Sequence, residues 1–162
     1  MVLVKIPESA QQQWHKAGLA WADVVPETES AEYCAHRLTL GGRSAIFRVA
    51  KTTPTKAGQF VTLWQRSLEG PIRPFDMHDG VELFVVQAAL GAGLGEFVFP
   101  LGALARHGVV SVDGKGGKRA MRVYAPDVVT TSVQARRTQK WQCEYFLPHD
   151  ASVAQARELY SA

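Results

Sequence analysis

Cysteine is scarce in this chain of 162 residues: Cys34 and Cys143 stand far apart and have no metal-ligand spacing. Both have apolar or aromatic neighbours, so they read as buried free thiols. No apolar run approaches the ~18 residues of a membrane span, and no basic start leads into an apolar stretch of signal-peptide type. A soluble, reduced, cytoplasmic protein without a membrane partner is expected. The five histidines (His15, His36, His78, His107 and His149) are scattered, and His78 with Asp76 and Asp79 is the only notable cluster. No metal or other cofactor is expected from such spacing. The nucleophile elbow GxSxG is missing, as is the phosphate loop GxxxxGK[ST]. Gly91-x-Gly93-x-Gly95 falls between two strand-like runs, where it reads as a turn and not a dinucleotide fingerprint. No internal repeat or linker divides the chain, which predicts one domain over residues 1–162.

What is present is an ordinary globular composition, 46% hydrophobic, with a mild excess of base: net charge +3. That total hides alternating blocks. Residues 33–73 carry +6 and residues 113–140 carry +5, while the stretches 1–32, 74–112 and 141–162 carry −3, −3 and −2. If the two basic blocks fold onto one surface, their field suits an anionic partner.

Periodicity predicts an α+β fold. Ser9 can cap a helix to about Ala22, because Ala10, Trp14, Ala17 and Trp21 form an apolar stripe. Val2–Ile6 reads as an edge strand. His36–Leu40 and Arg43–Ala50 read as strands joined by Gly41-Gly42, and Gln59–Arg66 alternates by face over its whole length. Val81–Ala88, Gly95–Phe99, Val109–Val112, Lys118–Tyr124 and Glu144–Phe146 complete the strand candidates. Leu101–His107 reads as a short helix, Thr130–Gln142 as a basic one, and Asp150 as the cap of a last helix to about Tyr160. The sum is a largely antiparallel or mixed central sheet of five to seven strands, flanked by N- and C-terminal helices.

The stretch Arg43–Arg66 is the most informative: strand-like runs on either side of a loop, with all its charges (Arg43, Arg48, Lys51, Lys56, Arg66) positive. Within it lies Phe47-Arg48-x-Ala50-Lys51-x-Thr53-Pro54-x-Lys56-x-Gly58-Gln59-Phe60-Val61-Thr62-x-Trp64-x-Arg66. Ser30-x-Glu32-Tyr33-x-Ala35 precedes it. Gly95-x-Phe97-x-Phe99-Pro100, Gly117-Lys118-Arg119-x-x-Arg122-Val123-Tyr124 and Ala135-x-Arg137-Thr138-Gln139-x-Trp141-Gln142-x-x-Tyr145-Phe146 follow. On these motifs the sequence resembles the MepB-like family, small bacterial proteins named after a gene beside a staphylococcal multidrug-efflux operon. The resemblance implies a restriction-endonuclease-like α/β core and nucleic-acid binding. Asp127 departs from the family pattern, which has an aromatic residue after Pro126.

Lysine and arginine neutralise phosphates, and threonine or glutamine donates to phosphate and sugar oxygens. The expected contacts are Arg48, Lys51, Lys56, Arg66, Lys118, Arg119, Arg122, Arg137 and Lys140, with DNA or RNA as the partner. Arg48 and Arg66 are strand arginines between apolar neighbours, so each guanidinium must reach water, an acid or a bound anion. The loop Lys51–Gly58 reads either as a phosphate cradle or as a polar hairpin connection. On a helix, Arg137 and Trp141 share one face and Arg136 and Lys140 another.

The alternative reading is a metal-dependent nuclease, active or degenerate, with Asp79 at a strand opening and Glu96 on the next strand as its metal ligands. Val98 stands where that pattern wants lysine, so the triplet Glu96-Phe97-Val98 lacks a base. Binding is the expected activity ahead of cleavage.

Overall fold

The computed structural model describes residues 4–161. Its helices are α1 (Glu8–Lys16), α2 (Leu101–Arg106), α3 (Val133–Cys143) and α4 (Val153–Ser161). Its strands are β1 (Trp21–Pro26), β2 (His36–Leu40), β3 (Arg43–Val49), β4 (Lys51–Thr52), β5 (Gln59–Thr62) and β6 (Trp64–Arg66). They continue with β7 (Ile72–Pro74), β8 (Leu83–Leu90), β9 (Gly93–Pro100), β10 (Ala120–Val123) and β11 (Phe146–Pro148).

The apolar run Leu83–Leu90 decides the architecture. Six of its eight residues are buried, which suits a strand covered on both faces. It sits inside a six-stranded sheet of order β1-β2-β3-β8-β9-β11, with β3–β8 parallel and the other pairs antiparallel. Helices α1 and α4 cover one face, burying Trp14, Phe47, Val85, Val98 and Tyr160. A three-stranded sheet, β10-β5-β4, covers the other, with Val61, Met121 and Val123 packed on Ile46, Val86, Phe97 and Phe99. A small β6–β7 hairpin stands beside it. The architecture is the α+β, mixed-sheet class that periodicity predicts.

The differences from the sequence reading have local causes. The first helix stops at Lys16 because Gly18 turns left-handed (φ 74°), so Trp21 enters an edge strand and meets Trp14 edge-on. Ser9 does not cap that helix; its hydroxyl accepts from Gln87 Nε2 on β8. Residues 4–6 form no strand, and residues 2 and 3 lie outside the described part. The alternating run Gln59–Arg66 is cut at Leu63 into β5 and β6, which join different sheets. Val109–Val112 makes only isolated bridges. The last helix is capped by Ser152, which accepts from the Gln155 amide while the Gln155 side chain accepts from the Ser152 amide. Cys34 is a buried free thiol, as expected, whereas Cys143 is half-buried. Asp127 accepts from the Gly91 amide at 2.7 Å, so this residue ties its loop to the β8–β9 turn.

Under the helical layer a polar chain is buried. Trp14 Nε1 donates to the Tyr160 hydroxyl (2.9 Å), which in turn donates to Glu96 Oε1. Burial pushes the Glu96 carboxyl up to about 8, against the opposing pull of the Tyr160 hydrogen bond and of Lys16. Gln13 donates to the carbonyls of Leu147 and Pro148, so its Oε1 is left as an acceptor. Gln13 Oε1 and Glu96 Oε2 are both buried, both without a hydrogen-bond donor among the described residues, and both residues line one recess with Ser9, Gln87 and His149. A protonated Glu96 carboxyl is in keeping with two neighbouring acceptors that have no donor of their own.

A carboxyl whose folded-state pKa lies above its unfolded value stabilises the fold below the unfolded value and loses that stabilisation as pH rises. Chemical denaturation should therefore show stability falling between the ordinary glutamate value of about 4.3 and about 8. Glu96→Gln, neutral at every pH, should flatten that segment of the profile. An unchanged profile would contradict a protonated Glu96.

Candidate nucleic-acid interface

The three-stranded sheet turns one face to the core and the other outward. Antiparallel register sets Lys51 opposite Phe60 and Phe60 opposite Arg122, which places all three side chains in one cross-strand row. Alternation sends Val61, Met121 and Val123 inward, so this row belongs to the outer face. Aromatic rings pack between the charges: Lys51 Nζ lies 5.2 Å from the Tyr33 ring centre, and the Arg122 guanidinium 5.9 Å from that of Phe60. Tyr33 and Phe60 touch edge-to-face at 6.2 Å. The rings fix where the two cations stand, and the Lys51 ammonium is left towards water.

The loop between β4 and β5 is a polar hairpin connection. Arg122 donates to the Ala57 carbonyl at 3.0 Å and to the Thr53 hydroxyl, and Gln59 donates to Thr52 at 3.2 Å. Gly58 lets the loop close on β10: its φ is 74°, and a Cβ there would stand 2.6 Å from the Val123 carbonyl oxygen. Lys56 is exposed on this loop.

Helix α3 is fastened along the free edge of β10 by two glutamines. Gln142, fully buried, accepts from the Tyr124 amide and donates to the Arg122 carbonyl, both at 2.8 Å; Gln139 donates to the carbonyls of Ala125 and Val128. Trp141 packs on Phe99, so the helix is amphipathic around that ring. A cleft of about 270 Å³ remains between α3 and β10, lined among others by Lys118, Arg122, Tyr124, Thr138, Trp141 and His107. The His107 ring lies flat on Trp141, with centroids 4.1 Å apart. Burial, helped by Arg106 and opposed by Glu144, lowers the His107 pKa and favours the neutral ring. Arg137 borders the cleft side of α3, whereas Arg136 and Lys140 lie on the opposite side of the helix by their spacing. Lys118, Arg119, Arg137 and Lys140 are exposed.

Two of the nine expected contacts are already bound to acids. Arg48 is 1% exposed and makes a 3.0 Å ion pair with Glu27. It is a core residue, closed to any phosphate. Burial lowers its pKa and Glu27 pulls it back. Its Nε and Nη2 have no partner among the described residues. Arg66, exposed on the β6–β7 hairpin, is held by Glu29 at 2.7 Å. Neither acid stood out in the sequence, because both lie in the turn-rich segment after β1. Lys51, Lys56, Lys118, Arg119, Arg122, Arg137 and Lys140 have no carboxylate within 4.0 Å among the described residues. Tyr33, Gln139 and Gln142 stand in the motifs but not among the expected contacts; they carry no charge and hold the basic elements in place.

Asp79 and Glu96 do not meet. Glu96 is buried under α4, on the helical face of the large sheet. Asp79 lies on the other side, where Arg73 grips it at 2.9 Å and the amide of Asp76 and the side chain of Gln65 also donate to it. Burial raises the Asp79 pKa, but Arg73 and the Asp76 amide outweigh it and leave the carboxyl below its ordinary value. The paired-carboxylate metal site expected under the nuclease reading is not assembled. No group of three metal-ligating side chains occurs among the described residues.

Fold and surface together define a small α+β protein: a mixed sheet, helical on one side, whose other side carries a minor sheet with an outward basic row. The chain belongs to the MepB-like family, whose model matches residues 27–148. A crystal structure of MepB superposes with a TM-score of 0.78 at 27% identity, covering 91% of this chain and 100% of that one. None of the curated proteins matches the chain. No described helix is long and apolar enough to cross a membrane.

Removing the partner of a buried charge leaves that charge desolvated, which costs about 3–5 kcal/mol. Glu27→Ala should fall near the low end of that range, since the Glu27 side chain keeps 19% exposure. Arg48→Met in the same background should recover most of the loss in a double-mutant cycle read by denaturant midpoints. Additive effects would show that the pair is not coupled.

Gly58→Ala should lower stability by roughly 1–3 kcal/mol, the cost of a strained backbone. It should also loosen the 53–57 loop, seen as faster amide exchange there. A wild-type melting temperature with unchanged exchange would contradict the close packing of Gly58.

Proposed function

We propose that this protein binds nucleic acid, DNA or RNA, by gripping phosphates on the outer face of its minor sheet. The observation that carries the reading is the in-register row of Lys51, Phe60 and Arg122, which joins the two basic blocks of the sequence on one surface. Lys118 and Lys56 extend that surface at either side of the row, and Arg137 borders it from α3. Apart from internal bonds to the Thr53 hydroxyl and the Ala57 carbonyl, the Arg122 guanidinium is held by ring contact, so its charge is not neutralised within the fold. Uncompensated cations held at fixed spacing attract a polyanion by releasing its condensed counterions. The parallel β3–β8 pair between antiparallel neighbours is in keeping with the restriction-endonuclease-like core that the family resemblance implies. Separation of Asp79 from Glu96 favours binding over metal-dependent cleavage.

The test is salt dependence. Observed affinity for duplex DNA should fall log-linearly with salt, with a slope of about −0.9 per neutralised phosphate. Lys51→Ala and Arg122→Ala should each make that slope shallower by about one contact. Arg48→Met should change stability and leave the slope alone. Binding that is insensitive to salt, or slopes unmoved by the first two substitutions, would remove the proposal.

A further inference from the structure

The geometry points to a single-stranded partner: we infer that the cleft between β10 and α3 receives one unpaired nucleotide. This rests on the polyanion-binding reading of the adjoining face and adds to it the form of the nucleic acid. Three properties of the cleft carry the inference. Its space, about 270 Å³, is at the small end of ligand sites, the scale of one base with its sugar and not of a duplex. Its lining joins cations, Lys118 and Arg122, to neutral donors, Tyr124 and Thr138, and contains no Asp or Glu among the described residues. Finally, two stacked rings, Trp141 and His107, line it, and the outer one, His107, is exposed. Their centroids stand 4.1 Å apart, and Phe99 packs on Trp141 at 5.5 Å.

A nucleotide presents the matching set: an anion, hydroxyl and amide edges, and a flat π-face. A base laid on the open side of His107 continues the Trp141–His107 stack, and its phosphate meets Lys118 and Arg122. In a duplex that π-face is already occupied by neighbouring base pairs, so only an unpaired base can enter without breaking pairs. Arg122 belongs both to the cleft and to the row with Lys51, so a strand leaving the cleft passes directly onto the basic face. A free nucleotide offers the same chemistry as one unit of a strand, and only titration separates the two.

The experiment measures affinity of the full chain for a mixed-sequence single-stranded oligonucleotide, its duplex and free AMP, at one salt concentration. Wild type is compared with Thr138→Leu, which fills the cleft, and His107→Ala, which truncates an exposed ring and leaves the core intact. The single strand should bind wild type more tightly than the duplex, with quenching of tryptophan fluorescence. Both variants should lower the ratio of single-strand to duplex affinity about 5- to 100-fold, the range for losing one base–aromatic stack. If that ratio is unchanged in both variants, the cleft inference fails while the polyanion reading stands. Failure of wild type to bind either oligonucleotide would defeat both. Tight binding of AMP alone would assign the cleft to a free nucleotide and overturn the single-strand claim.

Discussion

The ion pair between Arg48 and Glu27 is the constraint on which the rest of the minor-sheet side depends. A guanidinium that is 1% exposed is tolerable only with an acid in contact, so the segment after β1 must run where Glu27 can reach β3. That route fixes the turn residues that follow. The Glu27 amide donates to the Ala35 carbonyl, Ser30 takes a left-handed conformation, and the short 3₁₀ turn Ala31–Tyr33 sets the Tyr33 ring beside Phe60. Ser30 and Thr62 are joined through their hydroxyls at 2.9 Å, which ties the same turn to the minor sheet. The aromatic pair that positions Lys51 thus traces back to a charge buried three residues earlier in the motif.

The same acid opens a second line of contacts. Glu27 also lies 3.7 Å from Arg37, which donates to Gln65, and Gln65 donates to Asp79, already paired with Arg73. Alternating charge and amide therefore crosses from β2 through the β6–β7 hairpin to the turn before β8. Asp79 is absorbed as a structural acid in this relay, for the reason that makes Arg48 a structural base: each is desolvated and its partners are protein groups. Signs of a catalytic carboxylate in sequence, an acid opening an apolar strand, are equally signs of a turn acid holding a neighbouring arginine.

Sequence patterning made the fold class legible because burial on two faces leaves a plain trace: Leu83–Leu90 and Gly93–Pro100 are apolar almost throughout. It could not show that Gln59–Arg66 divides between two sheets, since alternation survives a change of partner strand. The end of α1 was equally hidden, because Trp21 packs on Trp14 from a strand as well as it would from a helix. For the site, the basic stretches were visible but their sorting was not. Whether an arginine is a ligand or a core residue depends on distant acids, and Glu27 and Glu29 stand in an irregular segment with no periodicity to mark them. Gln139 and Gln142 show the reverse case: their amides bond to backbone that only the fold brings near.

Arg48 and Lys51, three residues apart in one motif, show how the dielectric divides labour between like charges. Lys51 and Arg122 stand on strands two spacings apart, about 9.6 Å between backbones. In water, two unit charges at that distance repel by roughly 0.4 kcal/mol, so an exposed pair is cheap to hold and ready for an anion. Inside the core the same guanidinium carries a desolvation cost of several kcal/mol that only a contacting carboxylate offsets. A motif selected for phosphate contact alone would place all its cations outward. Burial of Arg48 instead ties the outer face to the inner pair, because Glu27 and Tyr33 belong to one turn segment whose Ser30 bonds Thr62 of the minor sheet. Under the proposed function, stability and affinity would share that one contact, and a substitution at Glu27 would act on both without touching the basic row.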